Sequence, residues 1–302
     1  MDDLRLARSR AALARLSEDK PDESGDLTRL EARRDHRDSM LRHGVLMSEA
    51  VTPVLERRLV EVCERLEIPR SSITSFVFNS ADVQADCLID TPDSCVLRFS
   101  SGLVNLMDEN EFKFVAGHEL GHFLLGHGAG AHYVAEESSE IFMTQRAREL
   151  SVDRIGYLAV GCLDESIQAI IKTASGLNDR FLRFDVTSFM SQADMISDPG
   201  KGEAQNSTHP SMLIRCRSLL WFSMSIDSFD QLTEDNRPTL AKINERVVND
   251  LERFVDGRVR LRRTQLELDV ALWKTALLLY HSGSFSRDIQ NRVDEHLGSE
   301  AL

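Results

Sequence analysis

The chain of 302 residues is long enough to bury a sizeable hydrophobic core and exceeds one average domain. Its net charge of -13 argues against general nucleic-acid binding and against adhesion to anionic membranes. No apolar run reaches about 18 residues, and the N-terminus lacks the apolar core of a secretory signal, so we expect a soluble cytoplasmic protein. The five cysteines are scattered without C-x-x-C spacing, and we expect them to be reduced thiols.

Residues 1–45 alternate charged residues with leucine and alanine, and Pro21 and Gly25 interrupt the helical pattern. We expect a charged helical arm with a solvated face, either mobile or lying along the rest of the chain. An arm of this kind is also a candidate latch over a functional site. Deletion of residues 1–45 tests that alternative.

Residues 48–67 carry apolar side chains at helical spacing and predict a helix that ends before Pro69. Three runs of strand-forming residues follow, and a turn at 91–94 separates the last two. The runs are 73–78, 83–89 and 95–99. We expect a small mixed or antiparallel sheet, either as core strands only or with an exposed edge that binds a peptide as an added strand.

The stretch 112–128, FKFVAGHELGHFLLGHG, predicts a helix that is apolar on nearly every side and therefore lies in the interior. Asp108 is placed to cap its start, with Glu111 three residues on, and Gly126 and Gly128 are placed to end it.

The centre of this helix carries His118, Glu119 and His122 as H-E-x-x-H. A spacing of four residues places the two imidazoles one turn apart, where both can bind a single metal ion. Glu119 lies about 100° round the helix and can reach a water molecule on that ion without binding the ion. This arrangement is typical of zinc hydrolases, in which the metal acidifies its water and a carboxylate accepts the proton. The alternative is two hydrogen-bonded core histidines, which leaves a buried glutamate with no partner to offset its desolvation.

A catalytic zinc site needs a third protein ligand. His127 and His132 do not fall at the spacing of a three-histidine zinc motif, and we interpret them as polar residues of the loop after the helix. Glu149 and Asp153 lie four residues apart on one face of the next predicted helix, 144–161. Glu149 can complete the coordination of the ion, while Asp153 accepts the outward N–H of a ligating histidine. The alternative is an exposed acidic pair beside neighbouring arginines.

These motifs together resemble the glutamate-ligand zinc peptidases of the HtpX, Oma and CAAX prenyl endopeptidase type. The resemblance rests on HELGH at 118–122, R-E-L-S-x-D-R-I-G at 148–156 and T-H-P…R at 208–215, in that order. It spans about residues 50–222 and includes the stretch before the metal helix. The relatives' flanking membrane helices are not found in this sequence, and its NSADVQADC segment departs from their N-A-F-A-like sequence.

The resemblance implies one zinc ion (Zn2+) per chain, held by His118, His122 and Glu149. It implies Glu119 as general base and Asp153 as the partner of His118.

It also implies that His209 and Arg215 face the oxyanion that develops during peptide hydrolysis. That oxyanion needs a donor besides the metal, and a fixed imidazolium or guanidinium supplies one. The alternatives are that His209 only caps the helix that follows and that Arg215 pairs with a carboxylate.

The sequence after the motif helices predicts further helices, one of them at 164–177 with Asp164 as cap and Gly176 as stop. Residues 191–207 are rich in Ser, Asp, Gly and Gln, and they form either a lid beside the site or a passive surface loop. The remaining helices are predicted at about 237–256, 261–280 and 286–297. The apolar part of the second of these either packs on the main domain or forms a surface for a partner or a second copy.

We therefore expect an α+β, predominantly helical protein. It comprises a charged arm at 1–45, a zincin-like metallopeptidase domain with a small sheet at 46–225, and a C-terminal helical region at 226–302. The predicted function is a zinc metalloendopeptidase that acts on protein or peptide substrates.

Two alternatives to that function are open. HELGHFLLGH also resembles regulatory peptidases of the ImmA/IrrE kind, which cut a specific repressor. The other alternative is a catalytically silent, zinc-bound interaction scaffold. The long C-terminal helical region indicates that partner contacts matter, whereas intact Glu119, His209 and Arg215 argue against this alternative.

Overall fold

A computed structural model describes residues 2–19, 37–127, 139–183, 185–195, 209–225 and 238–282, together with Arg287 and Asn291. Within these residues helices dominate and accompany a four-stranded sheet, which confirms the predicted α+β class. The helices are α1 (Asp2–Ala11), α2 (37–43), α3 (Pro53–Arg65), α4 (Ser101–Leu106), α5 (Glu109–Leu125), α6 (Ser139–Val160), α7 (Leu163–Ser175), α8 (Val186–Met190), α9 (Met212–Ser223), α10 (Leu240–Leu251) and α11 (Gly257–Ser282). The strands are β1 (Val45–Leu46), β2 (Ile73–Phe78), β3 (Ala85–Thr91) and β4 (Ser94–Ser100).

The chain divides into two compact units. One consists of Met1–Ser197 and Asn206–Asp250, and the other of Asp198–Gln205 and Leu251–Leu302. The predicted domain boundaries at residues 45 and 225 stay a prediction. Within the first unit, α1 packs against α5, and α10 is joined to α9 by a two-point ion pair between Arg217 and Asp250.

The sheet is mixed, with the strand order β1-β2-β4-β3. β1 is antiparallel to β2, β2 is parallel to β4, and β3 and β4 form an antiparallel hairpin around the predicted turn at 91–94. Because β4 returns between β2 and β3, β3 becomes an edge strand of the described sheet. β3 lies next to α5, which carries the predicted metal motif.

α5 is the interior helix that the sequence predicts. Asp108 and Glu111 form a reciprocal capping box, with both backbone-to-carboxylate distances 2.8 Å. The helix ends at Gly126, whose φ of +69° is a left-handed conformation that glycine adopts readily. Predicted Gly128 lies outside the described residues.

Glycines permit a close crossing of α5 and α6. A Cβ atom at Gly117 would lie 2.5 Å from Cβ of Ala159, and one at Gly121 would lie 3.0 Å from Cβ of Val152. The first distance is shorter than side chains tolerate and the second is tight, so a larger residue at Gly117 would force the helices apart. The close crossing brings the ligand-bearing turn of α6 over the H-E-x-x-H turn of α5.

The described part of the N-terminal arm packs along the first unit, which is the second of the two predicted arrangements. The backbone N–H of Leu16 donates to Oγ of Ser151 at 3.1 Å, and Nη2 of Arg15 donates to the carbonyl of Leu125 at 2.6 Å. Apolar side chains on one side of the segment are buried, namely Leu4, Ala7, Ala11, Ala14 and Leu16. This packing follows from the leucine and alanine spacing, which leaves the charged residues on the other side.

Two later helices differ in detail from the predictions. α7 begins after Cys162 with no side-chain cap, so Asp164 lies inside the first turn, while Gly176 ends the helix as predicted. α10 is followed by a π-helical turn at Glu252–Asp256 that leads directly into α11. Predicted segments 196–207 and most of 286–297 lie outside the described residues.

α11 carries apolar side chains that are exposed. Packing of this stretch on the main domain stays a prediction. Trp273 is 72% exposed. The other exposed apolar side chains of this helix are Leu261, Leu266, Leu268, Val270 and Leu277. A surface for a partner or a second copy stays a prediction. Among the described residues, no helix combines the length and hydrophobicity needed to cross a bilayer.

Candidate metal centre

Three predicted ligands converge where α5 and α6 cross. One ligand atom each from His118, His122 and Glu149 lies within 4.8 Å of the others. Nε2 of His118 is 3.4 Å from Oε2 of Glu149, and Nε2 of His122 is 3.6 Å from Oε1 of the same carboxylate. Local structure explains the convergence, because the i, i+4 spacing aligns the two imidazoles and the glycine crossing places Glu149 opposite them.

The donor set and its spacing fit a zinc ion. Ligands about 2.0–2.1 Å from a tetrahedral ion lie roughly 3.3 Å from one another, close to the separations found here. Oε2 of Glu149 is buried and makes no hydrogen bond with the described residues. Two imidazole nitrogens and one carboxylate that face each other in this way are a common ligand set for zinc.

Electrostatics of the ligands favour a cation between them. Burial by itself raises the pKa of Glu149, but the imidazoles of His118 and His122 hold that pKa well below its usual range. Burial lowers the pKa of His122 to about 3, so this imidazole is neutral, as a metal ligand must be. Burial also lowers the pKa of His118, but the hydrogen bond to Asp153 and the neighbouring Glu149 outweigh it and raise the pKa to about 10. The carboxylates that cause this rise attract positive charge to the position.

Asp153 is the partner of His118, as the resemblance implies. Nδ1 of His118 lies 2.9 Å from Oδ1 of Asp153, whose side chain is fully buried. Arg215 in turn donates to Asp153 twice, from Nε at 2.8 Å and from Nη2 at 2.6 Å. Burial alone raises the pKa of Asp153, and Arg215 more than reverses this effect. These hydrogen bonds match the alternative in which Arg215 pairs with a carboxylate.

Glu119 and His209 border the ligands from two sides. Glu119 is 9% exposed, and burial raises its pKa to about 7, which lies in the range of a carboxylate that exchanges protons at neutral pH. His209 is at the start of the segment that leads into α9. Its side chain is 60% exposed, and its Nε2 lies 3.5 Å from Oε2 of Glu149. The structure therefore places His209 at the solvent side of the site.

His127 lies in the loop after α5, as the sequence predicts, but its side chain is buried. It is 3% exposed, and its Nδ1 lies 3.3 Å from Nδ1 of His122. Its Nε2 lies 3.1 Å from Oδ2 of Asp19 in the N-terminal segment. The sequence did not predict the contact between these two residues, because Asp19 is 108 positions from His127 and no spacing rule links them. His132 lies outside the described residues.

Comparison with known proteins agrees with this geometry. Residues 49–141 match Peptidase family M48. We call these residues the M48 segment. The match confirms the resemblance to zinc metallopeptidases for the M48 segment, which contains the whole H-E-x-x-H motif. Glu149, Asp153, His209 and Arg215 follow the M48 segment, so their assignment rests on the geometry.

A curated relative is "Metalloprotease YcaL" of Escherichia coli (strain K12), 31% identical over 115 residues. The alignment covers 36% of this chain and 44% of that protein, so the chain spans less than half the length of the relative. No solved structure matches the chain significantly.

Proposed function

We propose that the chain is a zinc-dependent metalloendopeptidase that hydrolyses peptide bonds in protein substrates. The observation that carries the proposal is the convergence of His118, His122 and Glu149 beside the buried carboxyl group of Glu119. Membership of the M48 segment in a peptidase family supports it.

The residues of the chain have separable tasks in this reaction. His118, His122 and Glu149 would hold the ion, which supplies Lewis acidity to polarise a carbonyl group and to acidify water. Glu119 accepts a proton from the attacking water and returns it to the leaving amine, since a pKa near 7 suits both transfers. Asp153 fixes the orientation and tautomer of His118.

His209 and Arg215 have different tasks in the proposal. His209 is solvent-exposed at the mouth of the site, and we assign it the task of donating to the substrate's developing oxyanion. Arg215 uses two N–H groups on Asp153, and we assign it the task of holding that carboxylate in place.

The edge strand β3 offers a place for the substrate backbone. One side of β3 pairs with β4, and its other side is unpaired among the described strands. Asp86 of β3 is close enough to Glu119 for its charge to raise the pKa of that carboxyl group. A peptide that adds to this edge would lie beside the ligands.

A substitution of the base tests the proposal. Glu119→Gln should keep zinc bound and lower kcat about 10²- to 10⁴-fold, the usual contribution of a general base. Glu109→Gln is a matched control, because Glu109 starts the same helix and its side chain is 56% exposed. Turnover of a quenched peptide library and zinc content by atomic absorption are measured for both. Wild-type turnover in Glu119→Gln, or a wild-type chain without zinc, would rule the proposal out.

The cytoplasmic location, the dedicated-repressor alternative and the silent-scaffold alternative stay predictions. Proteome-wide comparison of new protein N-termini with and without the chain separates broad proteolysis from one dedicated substrate.

A further inference from the structure

His122 has a polar partner on the side away from Glu149. Its Nδ1 lies 3.3 Å from Nδ1 of His127, and Nε2 of His127 lies 3.0 and 3.1 Å from the two carboxylate oxygens of Asp19. His127 and Asp19 are each 3% exposed. Two imidazoles and a carboxylate thus form a continuous buried chain that ends at a predicted metal ligand.

The hydrogen-bonding capacity of these groups determines where the protons lie. A carboxylate only accepts hydrogen bonds, so Nε2 of His127 must carry the proton that faces Asp19. In a neutral imidazole the other nitrogen is then an acceptor, and Nδ1 of His127 accepts from Nδ1–H of His122. This leaves the lone pair on Nε2 of His122, the nitrogen that faces Glu149. The chain therefore selects the tautomer of His122 that can bind an ion at the site.

Asp19 is itself held in place by charged groups of the N-terminal segment and of α6. Its Oδ2 lies 3.4 Å from Nη1 of Arg15, and its Oδ1 lies 3.8 Å from Nε of Arg148 on α6. Its backbone N–H donates to the carbonyl of Leu16 at 3.0 Å. The position of the carboxylate thus depends on the packing of the N-terminal segment against α5 and α6.

We propose that Asp19 and His127 are positioning residues for the metal ligand His122, so that the N-terminal segment, which precedes the M48 segment, completes the metal centre. Each histidine ligand is then oriented by an aspartate. Asp153 contacts His118 directly, and Asp19 acts on His122 through His127. The inference rests on the proposed function, because it requires His122 to bind the ion through Nε2.

The first test uses the zinc-loaded wild-type chain. Long-range ¹H–¹⁵N NMR of labelled histidines distinguishes the tautomers of individual imidazoles. We expect the proton of His127 on Nε2, the proton of His122 on Nδ1, and the metal on Nε2 of His122. A proton on Nδ1 of His127, or metal on Nδ1 of His122, would overturn the proposal. This measurement needs no variant and does not depend on the folding of one.

The second test measures zinc affinity of the full chain by competition with a chromophoric chelator. Asp19→Asn and His127→Phe should each weaken zinc binding about 10- to 100-fold, as loss of a ligand's hydrogen-bonding partner does. Asp3→Asn is the matched control, because it makes the same charge change at an exposed position of α1 and should leave the affinity unchanged. Circular dichroism in excess chelator shows whether each variant is folded before zinc is added.

The outcomes separate this inference from the proposed function. Failure of the wild-type chain to bind zinc would remove the proposed function and this inference with it. Wild-type affinity in folded Asp19→Asn and His127→Phe would remove only the positioning role and leave the metallopeptidase proposal standing.

Discussion

The ion pair between Asp153 and Arg215 is a buried charge contact beside the predicted metal ligands. The side chain of Asp153 is fully buried and that of Arg215 is 15% exposed. Removal of one partner of a buried pair leaves an uncompensated charge in a medium of low polarity, which costs far more than the loss of an exposed pair. A residue that looks like a catalytic donor in the sequence is thus a structural counter-ion in the fold.

A substitution at Arg215 follows from this contact. Arg215→Leu should lower the free energy of unfolding by about 3–5 kcal/mol and should also weaken zinc binding, because Asp153 loses its orientation. Arg217→Leu is a matched control on the same helix, since Arg217 also pairs with an aspartate but is 27% exposed. That change should cost about 1 kcal/mol or less. Urea denaturation of both variants measures the difference, and equal losses would contradict the buried-pair interpretation.

The burial of two cysteines leads to a prediction about how fast they are alkylated at different pH values. Burial raises the pKa of both Cys63 and Cys216 to about 12. Because the thiolate is the reactive form, about one such thiol in 10⁴ is ionised at pH 8, and its alkylation should speed up about tenfold for each unit that the pH rises. Peptide mass spectrometry after iodoacetamide treatment follows the reaction, with partly exposed Cys162 as the reference. Alkylation of the two buried cysteines as fast as Cys162 in the folded chain would contradict the prediction.

At the scale of elements, the crossing of α5 and α6 decides whether the ligands meet. Both helices are predicted from the sequence, but their distance depends on which residues lie at the crossing. Gly117 and Gly121 on α5 have no side chains to separate it from α6. The geometry of the site is therefore a property of the helix pair.

Gly117→Ala tests this dependence. Its Cβ would lie 2.5 Å from Cβ of Ala159, so the helices must separate, and we expect a loss of about 1–3 kcal/mol in unfolding free energy together with weaker zinc binding. The double change Gly117→Ala with Ala159→Gly removes the clashing atom and should recover part of both losses. Urea denaturation and chelator competition report the two quantities. If the Gly117→Ala chain were as stable as the wild type, the helix crossing would have room for a methyl group at residue 117, contrary to our inference.

At the scale of the whole molecule, the N-terminal segment belongs to the unit that contains the site. Its buried apolar side chains and its contact with His127 both attach it to α5 and α6. A latch of the kind considered from the sequence would lie over the site and release activity when removed. In the described residues, the segment instead contacts His127, which lies on the side of His122 away from Glu149.

Deletion of residues 1–19 separates these two roles. We expect the truncated chain to be less stable, because it exposes the surface that Leu4, Ala11 and Leu16 cover, and to bind zinc more weakly. Peptide turnover should fall with zinc affinity. Thermal unfolding, chelator competition and the peptide assay are measured together. A rise in turnover after the deletion would support the latch and contradict the structural role.

Much of the site could be predicted because its signals are local. The H-E-x-x-H spacing, the Asp108 and Gly126 caps and the i, i+4 placement of Glu149 and Asp153 all depend on neighbouring residues of one helix. The strand at 73–78 was predicted with its observed bounds for the same reason, since β-branched and aromatic residues favour extended backbone locally.

The sequence by itself determined the H-E-x-x-H motif and the helices that carry the predicted ligands, because periodicity and side-chain chemistry act over one or two turns. Only the tertiary structure decided that Arg215 pairs with Asp153, that β3 becomes an edge, and that His127 meets Asp19. Each of these contacts joins residues far apart in the chain or follows from the order in which strands pair. Such contacts form because packing brings distant surfaces together, and no local pattern of residues specifies which ones will meet.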